Sequence, residues 1–172
     1  MRFLTNSYIR ALFLIGMGIY FIVEHELRER PQSSEDLIDL SGTINSYSFE
    51  DNTGWRKNGR RYYISLDDYT NKFQISANYL RFFDKAKFER NVEKGNRVKI
   101  SIPEYQKHLI GTEEVILINS LTVNGFRYLS KQESIQFEKA SAESNSDYIL
   151  ATVFISVGIM VFIFHDRLKK SY

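Results

Sequence analysis

Residues 148–164 read YILATVFISVGIMVFIF, 17 residues without a charge. As a helix this run spans roughly 25 Å, at about 1.5 Å per residue, the short end of what crosses a hydrocarbon core. A second apolar run lies near the other end of the chain. Residues 8–23 read YIRALFLIGMGIYFIV, interrupted only by Arg10, whose long stem lets its charge reach a membrane surface. Tyr8, Tyr20 and Tyr148 suit the headgroup level. The pattern predicts two transmembrane helices. The alternatives are a buried core helix for the later run and a cleaved signal peptide for the earlier one. A signal peptide fits poorly: Arg2 and Arg10 supply a basic flank, but Glu24-His25-Glu26-Leu27-Arg28 follows, with no small-residue cleavage site.

Orientation follows from the cations near each span. Arg167, Lys169 and Lys170 come after the second run, whereas Glu143 and Asp147 precede it. This predicts a cytoplasmic C-terminus. The N-terminal signal is weaker, with Arg2 and Arg10 on one side and Arg28 and Arg30 on the other. Two spans then place both termini in the cytoplasm and the connecting region outside it, an inner-membrane arrangement.

The chain has 172 residues, room for one ordinary domain besides the spans. It has no cysteine, which excludes a disulfide framework, a thiolate metal site and a cysteine nucleophile. Mean hydropathy is −0.32, an average of apolar ends and a polar middle. The formal net charge is +2. Once the five cations Arg2, Arg10, Arg167, Lys169 and Lys170 and the lone acid Asp166 are set aside, 18 Lys/Arg face 20 Asp/Glu. That balance argues against a general polyanion binder. The expected divisions are an N-terminal transmembrane helix over residues 1–27, an extramembrane domain over 28–140, and a C-terminal helix with basic tail over 141–172. Polar stretches ERPQSSED (29–36) and SAESNSD (141–147) flank the domain.

Within the domain, period-2 alternation predicts half-buried antiparallel strands. A first strand begins at residues 40–44, with Gly42 marking a bulge or bend. Others follow in RYYISLD (61–67), KFQIS (72–76) and RVKISI (97–102). VILINSLTV (115–123) is apolar on both faces for most of its length and reads as the most central strand. Asn58-Gly59 and Asn124-Gly125 are hairpin signals. A helix is expected over residues 78–92, and another from Ser130, where Ser130-Lys131-Gln132-Glu133 matches a capping box. Three strands, a helix and two more strands are the element order of an OB-fold, a small Greek-key barrel without free edges. The expected fold class is therefore membrane-anchored and mainly β: two transmembrane helices flanking an OB-like barrel of five to six strands with one inserted helix. A small open sheet packed by the helix is the rival.

The layout resembles small, uncharacterised bacterial two-span membrane proteins with an OB-like domain between the spans. The likeness is carried by Gly42, GNRVKISI (95–102) and VNGFRYLSKQES (123–134). The chain also resembles, distantly, the nodulation-efficiency membrane proteins that join spans to an OB domain, although there the domain follows the spans. Neither resemblance brings a catalytic residue.

The search for chemistry finds no Walker motif, GxSxG or GxGxxG. His25, His108 and His165 are far apart and in no ligand spacing; no metal, cofactor or catalytic residue is expected. Glu50-Asp51, Asp67-Asp68 and Glu113-Glu114 are neighbours that point to opposite faces of a strand or sit in turns, not carboxylates converging in a cleft. A pocket gathering Asp67, His108 and Glu113 would favour an enzyme. The candidate binding cluster is Trp55, Arg56, Lys57, Arg60, Arg61 and Tyr63, cations interleaved with aromatic rings beside the Asn58-Gly59 turn. Such a cluster suits stacking together with contacts to anionic groups. An extracytoplasmic domain argues against nucleic acid and for an envelope protein, an anionic lipid or a glycan as partner. Gly16, Gly18, Ala151, Ser156 and Gly158 allow close helix packing, and a homo-oligomer is open. The expected role is a non-enzymatic binding or scaffold protein anchored in the membrane. The alternative is a sensor or immunity-type protein that recognises a ligand or toxin.

Overall fold

The computed structural model describes residues 7–53 and 59–169; Arg2, Trp55, Arg56, Lys57, Asn58 and Lys170 lie outside them. In chain order the elements are α1 (Ser7–Leu27), β1 (Leu37–Thr53), β2 (Gly59–Leu66), β3 (Lys72–Ile75), a 3-10 segment (Ala77–Phe82), α2 (Lys85–Asn91), β4 (Arg97–Pro103), a second 3-10 segment (Glu104–Leu109), β5 (Ile116–Ile118), β6 (Ser120–Val123), β7 (Phe126–Leu129), α3 (Lys131–Ala142) and α4 (Ser146–Lys169). They form two compact units, Met1–Glu29 with Ala142–Tyr172, and Arg30–Ser141.

The first unit is an antiparallel pair of helices. The Tyr8 ring meets Phe162 at one end, Phe21 stacks on Phe154 further along, and His25 Nδ1 lies 3.0 Å from Asp147 Oδ2 at the other end. The helices approach closely because their contact faces carry small residues. A Cβ on Gly18 would lie 2.8 Å from the Ala151 carbonyl oxygen, and one on Gly158 would lie 2.9 Å from that of Ala11. Ala11 and Ala151 are fully buried, whereas Leu12, Phe13, Val153, Met160 and Phe162 are exposed. Gly16 faces open space and Ser156 is exposed, so neither belongs to the contact. Both helices are long and apolar enough to cross a membrane, and only 11% of each apolar window is buried. The buried-core alternative for residues 148–164 requires the opposite.

The second unit holds a seven-stranded mixed sheet in the order β5-β3-β2-β1-β4-β6-β7. β1 is much longer than the sequence pattern indicates, and its two halves serve different neighbours. Leu37 to Thr43 pair with β4, and Ile44 to Thr53 pair with β2. The register slips between Ile44 and Ser46, so the bulge sits at Asn45 and not at Gly42. Gly42 instead makes room for a neighbouring carboxylate. A Cβ there would lie 2.7 Å from Asp68 Oδ2, the oxygen that accepts the Thr43 N–H at 2.9 Å.

The expected OB-like barrel of five to six strands does not form; the sheet is open. The reason lies in residues 115–123, whose pattern suggests one central strand. Asn119 divides them. β5 runs parallel to β3 at one edge, and β6 runs antiparallel to β4 beside β7 at the other end. Three polar groups of Asn119 are each taken by a different element. Its N–H donates to Ser101 O (2.8 Å), its Nδ2 donates to Tyr79 Oη (2.9 Å), and its carbonyl accepts the Ser134 hydroxyl (2.6 Å). With these bonds made, neither ladder continues through it.

The expected helix over residues 78–92 is two pieces. The chain breaks at Phe83 and Asp84, and Asp84 caps α2 by accepting the Lys87 N–H at 3.0 Å. The break lets Tyr79, Phe83, Phe88 and Val92 all enter the core, which one continuous helix would not have done from those spacings. Phe88 packs edge-on against Tyr47, Phe49 and Tyr128. At the β6–β7 hairpin, Asn124 (φ +50°) and Gly125 (φ +84°) both take left-handed backbone, the two-residue turn that the Asn-Gly pair predicts.

Candidate functional site

The basic cluster predicted at the β1–β2 hairpin is only partly described: Trp55, Arg56 and Lys57 fall outside the described residues. The remaining three side chains are divided between the faces of β2. Arg60 shares the face of Tyr62 and stands opposite Asp51. There Asp51 lies 3.6 Å from Arg60 Nε and 2.7 Å from Lys85 Nζ, and accepts the Tyr62 hydroxyl at 2.7 Å. Hydrogen bonds from Lys85 and Tyr62 hold the Asp51 carboxyl below its ordinary pKa. Arg60 thus belongs to an internal charge network. Arg61 and Tyr63 project from the other face, opposite Glu50 and Ser48, and line a depression of about 330 Å³ with Ser46 and Lys72. The alternation of a strand separates Arg60 from its neighbour Arg61.

A more complete polar surface lies on the outer face of β1, β4, β6 and β7. The register arranges it in rows. Asp39, Ser101 and Ser120 stand side by side across three strands; Ser41, Lys99, Thr122 and Arg127 do so across four. The inner residues of the same strands, among them Val98, Ile100, Leu121 and Val123, fill the core. The first row is a chain of hydroxyls ending on a carboxylate. Ser101 Oγ donates to Asp39 Oδ1 at 2.6 Å and lies 2.6 Å from Ser120 Oγ. Because the Ser101 proton goes to Asp39, the Ser120 proton goes to Ser101.

Asp39 also takes two ammonium groups, Lys131 Nζ on Oδ1 at 2.7 Å and Lys99 Nζ on Oδ2 at 3.0 Å. Partial burial pushes its carboxyl pKa up, but the bonds from Lys131, Ser101 and Lys99 outweigh this and the net shift is downward. Asp39 is therefore ionised at neutral pH. Around it lies a basin of about 270 Å³ to which Thr122, Arg127 and Ser130 also contribute. A larger depression of about 730 Å³ shares Lys99 and Thr122 and continues past Arg97 to Gly42 and Asp68. Arg127 is exposed and in no ion pair among the described residues.

The capping box expected of Ser130 and Glu133 at the start of α3 does not form. Among the described residues neither capping bond is made, and the Ser130 side chain lines the basin instead. Inside the helix, Ser134 N–H bonds the Ser130 carbonyl at 3.2 Å. None of these depressions is lined by Asp67, His108 or Glu113. Among the described residues no three His, Asp or Glu converge as for a metal ion. The sequence pattern does place Arg97, Lys99 and Ser101 on the side of β4 away from the core. What it lacks is the register that sets them beside Asp39, Thr122 and Arg127. No family model, no curated protein and no solved structure matches this chain.

Proposed function

We propose that this chain is a membrane-anchored binding protein whose α1–α4 pair spans the bilayer and whose β-domain lies outside the cytoplasm. Capture occurs through the polar outer face of β1, β4, β6 and β7. The observation that supports anchoring is the helix pair itself: glycine and alanine let its two helices approach closely, and its outward surface is apolar. In water such a surface is a liability; in lipid it is the ordinary outside of a helical hairpin. The basic residues of the C-terminal tail support a cytoplasmic C-terminus.

Binding, not catalysis, is the activity this reading favours. Asp39 is held in ion pairs with Lys99 and Lys131, which lowers its basicity, and it is already the acceptor of the Ser101 hydroxyl. The partner class is an envelope component carrying negative charge, either an acidic protein or an anionic lipid or glycan. The test has two parts. After a carbonate wash the full chain should stay in the membrane fraction. A photo-crosslinking amino acid at Thr122 should give a specific adduct in cells, whereas one at the exposed position of Glu89 on α2 should not. Release by carbonate contradicts the anchoring. An adduct formed from Arg61 and not from Thr122 moves capture to the hairpin face.

A further inference from the structure

We infer that the basin around Asp39 is a specific site for the dianionic phosphate of a monoester. This rests on the reading of the polar face as the binding surface and names the ligand class it takes. Three cations border the basin, Lys99, Arg127 and Lys131, against one carboxylate, Asp39. The local excess is two positive charges, although the region between the spans carries slightly more acids than bases. A phosphate monoester carries about −1.5 to −2 charges at pH 7 and offers three acceptor oxygens. A carboxylate or a phosphodiester, with one charge each, compensates only half of the excess.

The donors match that ligand. Asp39 fixes Lys131 on one oxygen and Lys99 on the other, so the two ammonium groups are held in place by one carboxylate. Each ammonium has three N–H donors and uses one on Asp39. The guanidinium of Arg127 adds a planar fork suited to phosphate, and its strand register sets it directly across from Thr122. The Thr122 and Ser130 hydroxyls make no hydrogen bond among the described residues and are available as donors. By contrast, the Ser101 proton is committed to Asp39 and the Ser120 proton to Ser101. The hydroxyl chain therefore serves to position Asp39, and Asp39 to position the lysines.

The test uses the full chain in phosphatidylcholine nanodiscs, titrated calorimetrically with glycerol 1-phosphate and, separately, with dimethyl phosphate. The monoester is expected to bind saturably and the diester not. Arg127→Gln and Lys131→Gln should each weaken the monoester about tenfold, the loss of roughly one charge-assisted hydrogen bond. Lys107→Gln, which removes an exposed charge elsewhere, should leave affinity unchanged. Arg127 is in no ion pair among the described residues, and Lys131→Gln leaves Asp39 bonded to Lys99 and Ser101; unchanged circular dichroism melts confirm that both variants fold. Absence of saturable binding overturns the inference. So does equal binding of the diester, or an equal loss in Lys107→Gln. Nanodiscs containing phosphatidic acid separate the sources. Loss of glycerol 1-phosphate binding there assigns the site to a lipid headgroup, and unchanged binding assigns it to a soluble ester; either result upholds the phosphate site. The titration does not depend on which side of a membrane the domain occupies, so its failure leaves the anchoring and crosslinking tests intact.

Discussion

Gly16, Gly18 and Gly158 make an internal comparison inside the apolar helices. All three are helical and each gains up to ~1 kcal/mol of helix propensity on conversion to Ala. Their surroundings differ. A Cβ at Gly16 meets nothing within 4 Å, whereas one at Gly18 lies 2.5 Å from Ile155 Cγ1 and 2.8 Å from the Ala151 oxygen. At Gly158 the corresponding approaches are 2.7 Å to Ile15 Cγ1 and 2.9 Å to the Ala11 oxygen. The isoleucine can rotate away; a helix carbonyl cannot. Restoring ordinary contact means parting the helices by about half an ångström, which forfeits a quarter or more of the local dispersion attraction. Overpacking of this kind costs about 1–3 kcal/mol. Set against the propensity gain, Gly18→Ala and Gly158→Ala should each weaken the pair by ~1–2 kcal/mol, while Gly16→Ala is neutral or mildly favourable. The assay is disulfide formation between Tyr8→Cys and Phe162→Cys in a glutathione buffer, in membranes, with no native cysteine to interfere. The effective concentration of the pair should fall roughly 5–30-fold for Gly18→Ala and Gly158→Ala. Equal behaviour of all three glycine variants would refute the close-packed hairpin.

Two further outcomes concern the β-domain. Asn71, 1% exposed, holds the segment after the second 3-10 turn by donating to Leu109 O and Glu114 O and accepting from the Gly111 N–H. Asn71→Ala should lower unfolding stability by ~2–4 kcal/mol in denaturant titrations, and a loss below ~1 kcal/mol would show that the loop does not depend on it. The Asp39 carboxyl titrates lower in the folded protein than in the unfolded chain, so its contribution is present above about pH 4 and fades as the solution becomes more acid. Thermal melts of the natural protein and Asp39→Asn should therefore differ most at about pH 7, and the difference should narrow progressively as the pH falls below about 4; a constant difference would mean that the charge of Asp39 adds no stability.

Local structure is legible where one residue type fixes one conformation. Asn124-Gly125 declares its turn, and the alternation of RVKISI marks which residues of β4 face away from the core. Two kinds of information are out of reach. One is pairing: nothing local says that Ile116 to Ile118 lie parallel to β3, or that a run apolar on both faces is cut by Asn119. That cut depends on Tyr79, Ser101 and Ser134, which are remote in sequence. The other is the sharing of β1 by two ladders, which hides in polar residues 45–53 with little alternation to mark a strand. The basin follows the same rule. Asp39, Lys99, Arg127 and Lys131 are each ordinary alone and become a site only through register. The basic hairpin, conspicuous as a sequence, places Arg60 and Arg61 on opposite faces because β2 is extended.

Topology tests the account most directly. Single cysteines replace Glu113, in an exposed loop of the β-domain, and, separately, Ser171, beyond the basic tail. Intact cells are then treated with a membrane-impermeant maleimide. Two spans with an outer β-domain predict labelling at position 113 in intact cells and at position 171 only after lysis. Labelling at both positions in intact cells, or at 171 alone, would contradict the account.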